Sequence, residues 1–287
     1  MNISRPLAGM AAILCAAGLA LTGTAGANAA EKQNTGLPDH IVNGDFSYPV
    51  WDSIPLSGVP SAWNPDFHWT SILSDTGQAY AGPMVPTDGV TAGWQAIPGF
   101  DADRFGWKST QTDTSVDGRA PIVEIQQSHD RSNTYAEITA SQAGTAIYQD
   151  ISTPVPGTVY TISLKHASRT FDGHDALSVM IGAPGKETPV ELTRTASDAG
   201  DPVGETSTNV ESTAFAWNNE WDTYEGTYTI PAGQPITRFT FRSVRGTEGG
   251  LNESVAGNNV DDISFQVSWP LTYDLQGGTG IIPNKED

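Results

Sequence analysis

Apolar and polar residues alternate with a period of two along many short stretches of this chain, and no stretch has the wider spacing of a long amphipathic helix. Tyr160, Ile162 and Leu164 share one face of a predicted strand, with Thr161, Ser163 and Lys165 on the other. Leu177, Val179 and Ile181 repeat the pattern, as do Tyr224, Tyr228 and Ile230, then Phe239 and Phe241, then Ile263, Phe265 and Val267. Further strands are predicted at 41–46, 122–126, 135–139 and 146–151. Alternation buries one face of each strand and wets the other. Gly, Pro, Asn and Asp punctuate these runs, which predicts two packed antiparallel sheets in one all-β sandwich.

Two stretches break the pattern. Residues 49–118 are rich in Pro, Gly, Asp and Trp, with Trp51, Trp63, Trp69, Trp94 and Trp107 placed without a period. They read as extended loops and short strands anchored on the sandwich by buried indoles, and residues 196–219 read as a second polar loop region.

The first thirty residues differ from everything after them. Arg5 opens a positive segment, an apolar run covers 7–21, and Ala27-Asn28-Ala29 gives a small-residue cleavage pattern. This predicts a secretory signal peptide over 1–30, too short in its apolar part to read as a membrane span. Localisation is then extracellular, at the cell surface or secreted. Cys15, the one cysteine, lies inside that leader, so the exported chain has no disulfide and relies on its core or a bound metal.

Charge narrows the partners. The chain carries 33 acidic against 14 basic residues, a formal net charge of −19. Such a chain repels nucleic acid and anionic membrane surfaces, and tolerates cations and neutral ligands such as sugars. No G-x-S-x-G, H-E-x-x-H or P-loop pattern is present, and no thiol remains for nucleophilic work. Glu220 and Asp222 form a carboxylate pair of the kind a glycosidase uses, but acids are frequent enough here for chance pairing. A binding protein rather than an enzyme is therefore expected.

Two terminal motifs carry a family likeness. Asn43-Gly-Asp-Phe46 and Gly257-Asn-Asn-Val-Asp-Asp-Ile-Ser-Phe265 resemble the first and last strands of galactose-binding-like jelly rolls, which include carbohydrate-binding modules. Phe105-Gly-Trp-Lys108, Tyr135-Ala-Glu-Ile138, Ala146-Ile-Tyr-Gln-Asp150 and Lys165-His-Ala-Ser-Arg169 follow in an order similar to the N-terminal sandwich of bacterial surface adhesins. The resemblance implies a jelly-roll β-sandwich over 37–268 with its two terminal strands side by side. It also implies a structural calcium where they meet, for which Asn43, Asp45 and Asp262 would supply oxygens, although Ser47 stands where the family usually has an acid. Leu271-Thr-Tyr-Asp-Leu-Gln-Gly-Gly-Thr-Gly280 resembles the opening of an internalin-type B repeat, so 269–287 read as a linker and the truncated start of such a repeat. The implied role is recognition of a glycan or host surface ligand. The alternatives are a non-binding cap or spacer of a surface stalk, and an enzyme acting on polysaccharide.

Five residues are candidates for ligand contact. Trp217 and Trp221 bracket Asn218-Asn219-Glu220 just before a strand, and an indole face can stack on a sugar ring or pack into a core. His166 and Arg169 end another strand, and His174 follows in a loop with Asp172 and Asp175. That group is either a polar ligand or metal cluster at the rim, or a capped strand end with an Asp-Gly turn.

Overall fold

The computed structural model describes residues 36–55, 68–80, 93–114, 118–139, 142–248, 251–252 and 256–268. The chain divides at Glu31 into two units, and every described residue belongs to the second, Lys32–Asp287. The expected leader over 1–30 and the repeat-like segment over 269–287 lie outside the described residues.

Among the described residues eighteen strands follow in chain order. The first nine are β1 (Trp69–Leu73), β2 (Gln78–Tyr80), β3 (Gln95–Ala96), β4 (Lys108–Ser109), β5 (Val123–Gln127), β6 (Thr134–Glu137), β7 (Ala146–Ser152), β8 (Val159–Ala167) and β9 (Asp175–Gly182). The rest are β10 (Thr188–Pro189), β11 (Leu192–Ser197), β12 (Thr206–Ser207), β13 (Val210–Ser212), β14 (Asp222–Thr229), β15 (Ile236–Arg245), β16 (Thr247–Glu248), β17 (Leu251–Asn252) and β18 (Asn259–Val267). Helix among the described residues is confined to the single turn α1 (Ala102–Phe105) and two 3-10 turns.

The strands form a large sheet in the order β12-β11-β14-β8-β18-β6-β5-β1-β2-β3 and a smaller one in the order β10-β9-β15-β7-β4, all antiparallel. From β6 to β9 consecutive strands alternate between the two sheets, and β13, β14, β15 and β18 alternate again. That winding makes the domain a jelly-roll β-sandwich.

Alternation produces the core directly. Ile162 and Leu164 of β8, Tyr224 of β14 and Ile263 and Phe265 of β18 meet Val179 and Ile181 of β9 and Phe239 and Phe241 of β15 in one buried cluster. Phe265 joins the layers, stacking on Tyr160 at 4.0 Å between centroids and meeting Phe239 edge-on at 3.7 Å. Each such ring contributes about 1.5–3 kcal/mol by burial. Trp107 closes one end of the core, stacked on Phe46 at 5.1 Å, with its N–H donating to the Asn43 carbonyl at 2.8 Å.

The stretch 41–46 departs from the expected strand. Asn43 and Phe46 adopt φ of 52° and 49°, so the chain turns there. It still lies against the last strand, because the Ile263 N–H donates to the Gly44 carbonyl at 2.9 Å. A side chain at Gly44 would sit 2.0 Å from the Ile263 carbonyl oxygen, so glycine is required.

Candidate functional site

The proposed calcium ligands are each engaged elsewhere. The Asn43 side chain accepts from the Tyr48 N–H at 2.9 Å and donates to the Tyr48 carbonyl at 2.8 Å. Asp45 accepts from the Ser47 N–H and hydroxyl within its own loop. Asp262 pairs with the Lys165 ammonium at 2.7 Å. An ion would have to displace these partners, so the three do not form a ready cation site. Among the described residues no group of three or more His, Asp or Glu side chains is arranged to hold a metal.

Three of the five candidate ligand residues are structural. Trp221 is 3% exposed and packs with Tyr135, Ala167, Ala214 and Ala216 in a second small core on the outer face of the large sheet. Its N–H donates to the Asn219 side chain at 2.9 Å, so it offers no face to a ligand. His166 is fully buried, shares a 2.9 Å hydrogen bond with Asn258, and is pushed down to about 4 by burial, which keeps it neutral. Arg169 donates to the Glu137 carboxylate at 3.0 Å, and that charge holds its guanidinium in the protonated form.

Glu137 belongs to a buried polar row on the outer face of the large sheet. It pairs in register with Glu124, and Gln126 donates to both carboxylates. Burial, reinforced by the Glu137 charge, pushes Glu124 well above the usual carboxylate range. The row joins strands β5 and β6 to the Gly257 N–H, which donates to Glu137 at 2.6 Å.

His174 is exposed and lines a separate cavity of about 360 Å³ with Arg194, Asp201, Glu205, Glu211 and Tyr224. Arg194 already donates there to the Tyr224 hydroxyl at 2.9 Å and the Pro202 carbonyl at 2.8 Å. Burial pushes Asp222, beside this arginine at 3.4 Å, up to about 6.

Trp217 has a different setting. It is half-buried and walls a cavity of about 220 Å³ with His68, Ser128, His129 and Arg131. Both imidazoles meet the indole edge-on, His68 at 4.5 Å and His129 at 5.3 Å. Strand pairing brings these residues together. Trp69 of β1 lies opposite Gln126 of β5, and the Gln127 N–H donates to the His68 carbonyl at 2.7 Å. The following turn then docks on the Trp217 loop, with the His129 N–H donating to the Trp217 carbonyl at 2.8 Å.

A polar bridge fastens this loop to the sheet. The Asn133 amide donates to Asn219 at 3.0 Å and to Asp261 of β18 at 2.8 Å. Burial pushes Asp261 up to about 7. His68, Ser128, His129, Arg131 and Asn133 were absent from the sequence-based candidates. The signal available was weak: His68 directly precedes β1, which falls in the stretch read as loops and short strands, and His129 and Arg131 lie in the turn between the predicted strands 122–126 and 135–139.

No protein-family model matches the chain. No curated protein matches it either. Solved structures similar to it include the enzymatically active domain of a tailspike protein of bacteriophage CBA120, at 14% identity and a TM-score of 0.31, over 57% of this chain and 19% of that one. Another is the Clostridium thermocellum endo-1,4-beta-D-xylanase 10B, in its carbohydrate-binding and catalytic modules with xylohexaose, at 13% identity and a TM-score of 0.33, over 59% and 27%. A third is a xylan-binding domain from Paenibacillus barcinonensis, at 12% identity and a TM-score of 0.31, over 56% and 85%. The chain thus spans about a fifth of the tailspike domain and about a quarter of the xylanase. The fold assignment rests on the strand order above.

Proposed function

We propose that this domain is a non-catalytic glycan-binding module displayed outside the cell, and that it holds a sugar ring against the indole of Trp217. The half-buried Trp217 walling a polar cavity carries the reading. The C–H face of a sugar packs on an indole, while imidazole and hydroxyl groups such as those of His68, His129 and Ser128 exchange hydrogen bonds with its hydroxyls. A cavity of about 220 Å³ lies below the range of roughly 300–1,000 Å³ filled by drug-sized ligands, so it suits one ring-sized moiety. The leader pattern at 1–30 and the repeat-like segment at 271–280 support a place in a surface adhesin, where the glycan belongs to a host or to the environment.

A glycan array followed by calorimetric titration tests the reading. Trp217→Ala should weaken binding by about tenfold to a hundredfold, in line with about 1–3 kcal/mol for stacking on an aromatic ring, and leave the melting curve in place. A folded protein that binds no glycan, or binds one equally well without Trp217, refutes it and favours the spacer.

A further inference from the structure

We infer that Trp217, Phe215 and Phe171 form one aromatic strip that holds successive rings of a glycan chain, so that the domain selects oligosaccharide chains over single sugars; this rests on the glycan-binding reading above. The segment that carries Trp217 buries its small residues and not its large ones. Ala214 and Ala216 are fully buried against the outer face of the large sheet, while Phe215 and Trp217, which alternate with them, stay half-buried on the side that water reaches. Packing alone would do the reverse, since an aromatic ring gains far more from burial than a methyl group does. Phe171 extends the pattern. It is 71% exposed, and it is the one aromatic ring among the strongly exposed apolar side chains of the described residues. An isolated apolar side chain on a surface needs no explanation, but this one meets Phe215 edge-on at 6.0 Å between centroids.

Two loops are tied together to make the strip. Ser168 pairs with Phe215 in a parallel bridge, its N–H donating to the Ala214 carbonyl at 2.7 Å and its carbonyl accepting from the Ala216 N–H at 3.4 Å. Phe171 sits just beyond, in a turn closed by the Gly173 N–H on the Thr170 carbonyl at 2.9 Å. The base of that turn is held by the Arg169 N–H, which donates to the Asp175 carboxylate at 2.9 Å. The other end of the strip is fixed by the His129 N–H on the Trp217 carbonyl. Phe215 and Trp217 are no more than about 7 Å apart along the backbone, so each step of the strip is comparable to one pyranose unit. An edge-on pair covers one ring face at most, which leaves faces for a sugar to stack on. The occupant is a neutral chain rather than a second copy of this protein, because two copies with 33 acidic and 14 basic residues each repel one another.

Titration of the full chain with xylobiose and xylohexaose, and with the same two lengths of the cello- and laminari-oligosaccharide series, varies length at constant chemistry. In a series that binds, the hexasaccharide should bind at least about tenfold more tightly than the disaccharide, which cannot reach all of the strip. Phe171→Ala should weaken the hexasaccharide by about tenfold and leave the disaccharide unchanged. It should also leave the melting curve in place, since the side chain is exposed. Trp217→Ala should weaken both lengths. Equal affinity for the two lengths, or a hexasaccharide indifferent to Phe171→Ala, overturns the strip while leaving the glycan reading intact. Self-association of the protein that Phe171→Ala abolishes, with glycan affinity untouched, overturns it in favour of a contact between copies. If the folded protein binds no member of the three series the strip falls, and a blank glycan array brings the glycan reading down with it.

Discussion

Replacing Asp261 by asparagine removes the ionisation of a carboxyl that is only 2% exposed. One of its oxygens accepts from Asn133 at 2.8 Å and the other from the Asp262 N–H at 2.7 Å. Burial outweighs these donors and moves the group from 3.8 to about 7. Between those values the native protein keeps a proton that the unfolded chain has released. The stability contributed by this carboxyl is therefore complete below about pH 3.8, and is lost as pH rises through about 7. At 1.36 kcal/mol per tenfold change in proton affinity, the loss is about 4 kcal/mol. Asparagine imitates the neutral acid and never ionises. The stability gap should accordingly move by about 4 kcal/mol in favour of Asp261→Asn between about pH 4 and pH 8. His166 acts in the opposite sense, because its contribution is present above 6.5 and lost as pH falls through about 4. It is common to both proteins and cancels in the difference. Urea unfolding followed by tryptophan fluorescence across this range measures the gap. A gap that stays constant with pH would refute the assignment of Asp261 as a buried, proton-holding acid.

Other consequences are simpler to check. Trp221→Ala should cost about 3–5 kcal/mol, since it empties the centre of the small core over Tyr135 and Ala167, and chemical denaturation reads this directly. Gly44→Ala sets a methyl group 2.0 Å from the Ile263 carbonyl oxygen, and should lower the melting temperature by roughly 4–8 °C for a loss of about 2 kcal/mol. Because Asn43, Asp45 and Asp262 all have protein partners, a chelator should leave the melting curve unchanged; a clear drop would restore the calcium expectation.

The strands with clean alternation were legible in the sequence, because burial of one face is a local property. Residues 160–165, 177–181 and 239–241 lie in β8, β9 and β15 with their apolar sets in the core, as the pattern implies. At 41–46 the same kind of pattern misled, since Asn43 and Phe46 take left-handed conformations that hydrophobic spacing does not encode. Trp221 read as either a sugar-stacking or a core indole, because it follows a polar Asn-rich loop and precedes a strand. It is buried because residues 214–221 fold onto the outer face of the large sheet, which sequence alternation treats as wet. His68 and His129 are brought beside Trp217 by the register of β1 on β5 and by the docking of one turn. Register is a long-range choice, and a single sequence does not display it. Asp101 has a purely local role: its carboxylate caps α1 by accepting from the Asp103 and Arg104 N–H groups.

The position of β18 bears on how the chain is made. Among the described residues this strand comes last in the sequence, yet it fills the middle of the large sheet between β8 and β6. A growing chain that has not yet delivered residues 259–267 holds two half-sheets, each with a bare inner edge of unpaired N–H and C=O groups. Such edges are templates for pairing with another chain. Closure of the domain must wait for that strand, so folding is late and non-local. Late closure makes any truncation ahead of residue 259 a route to aggregation rather than to a smaller domain.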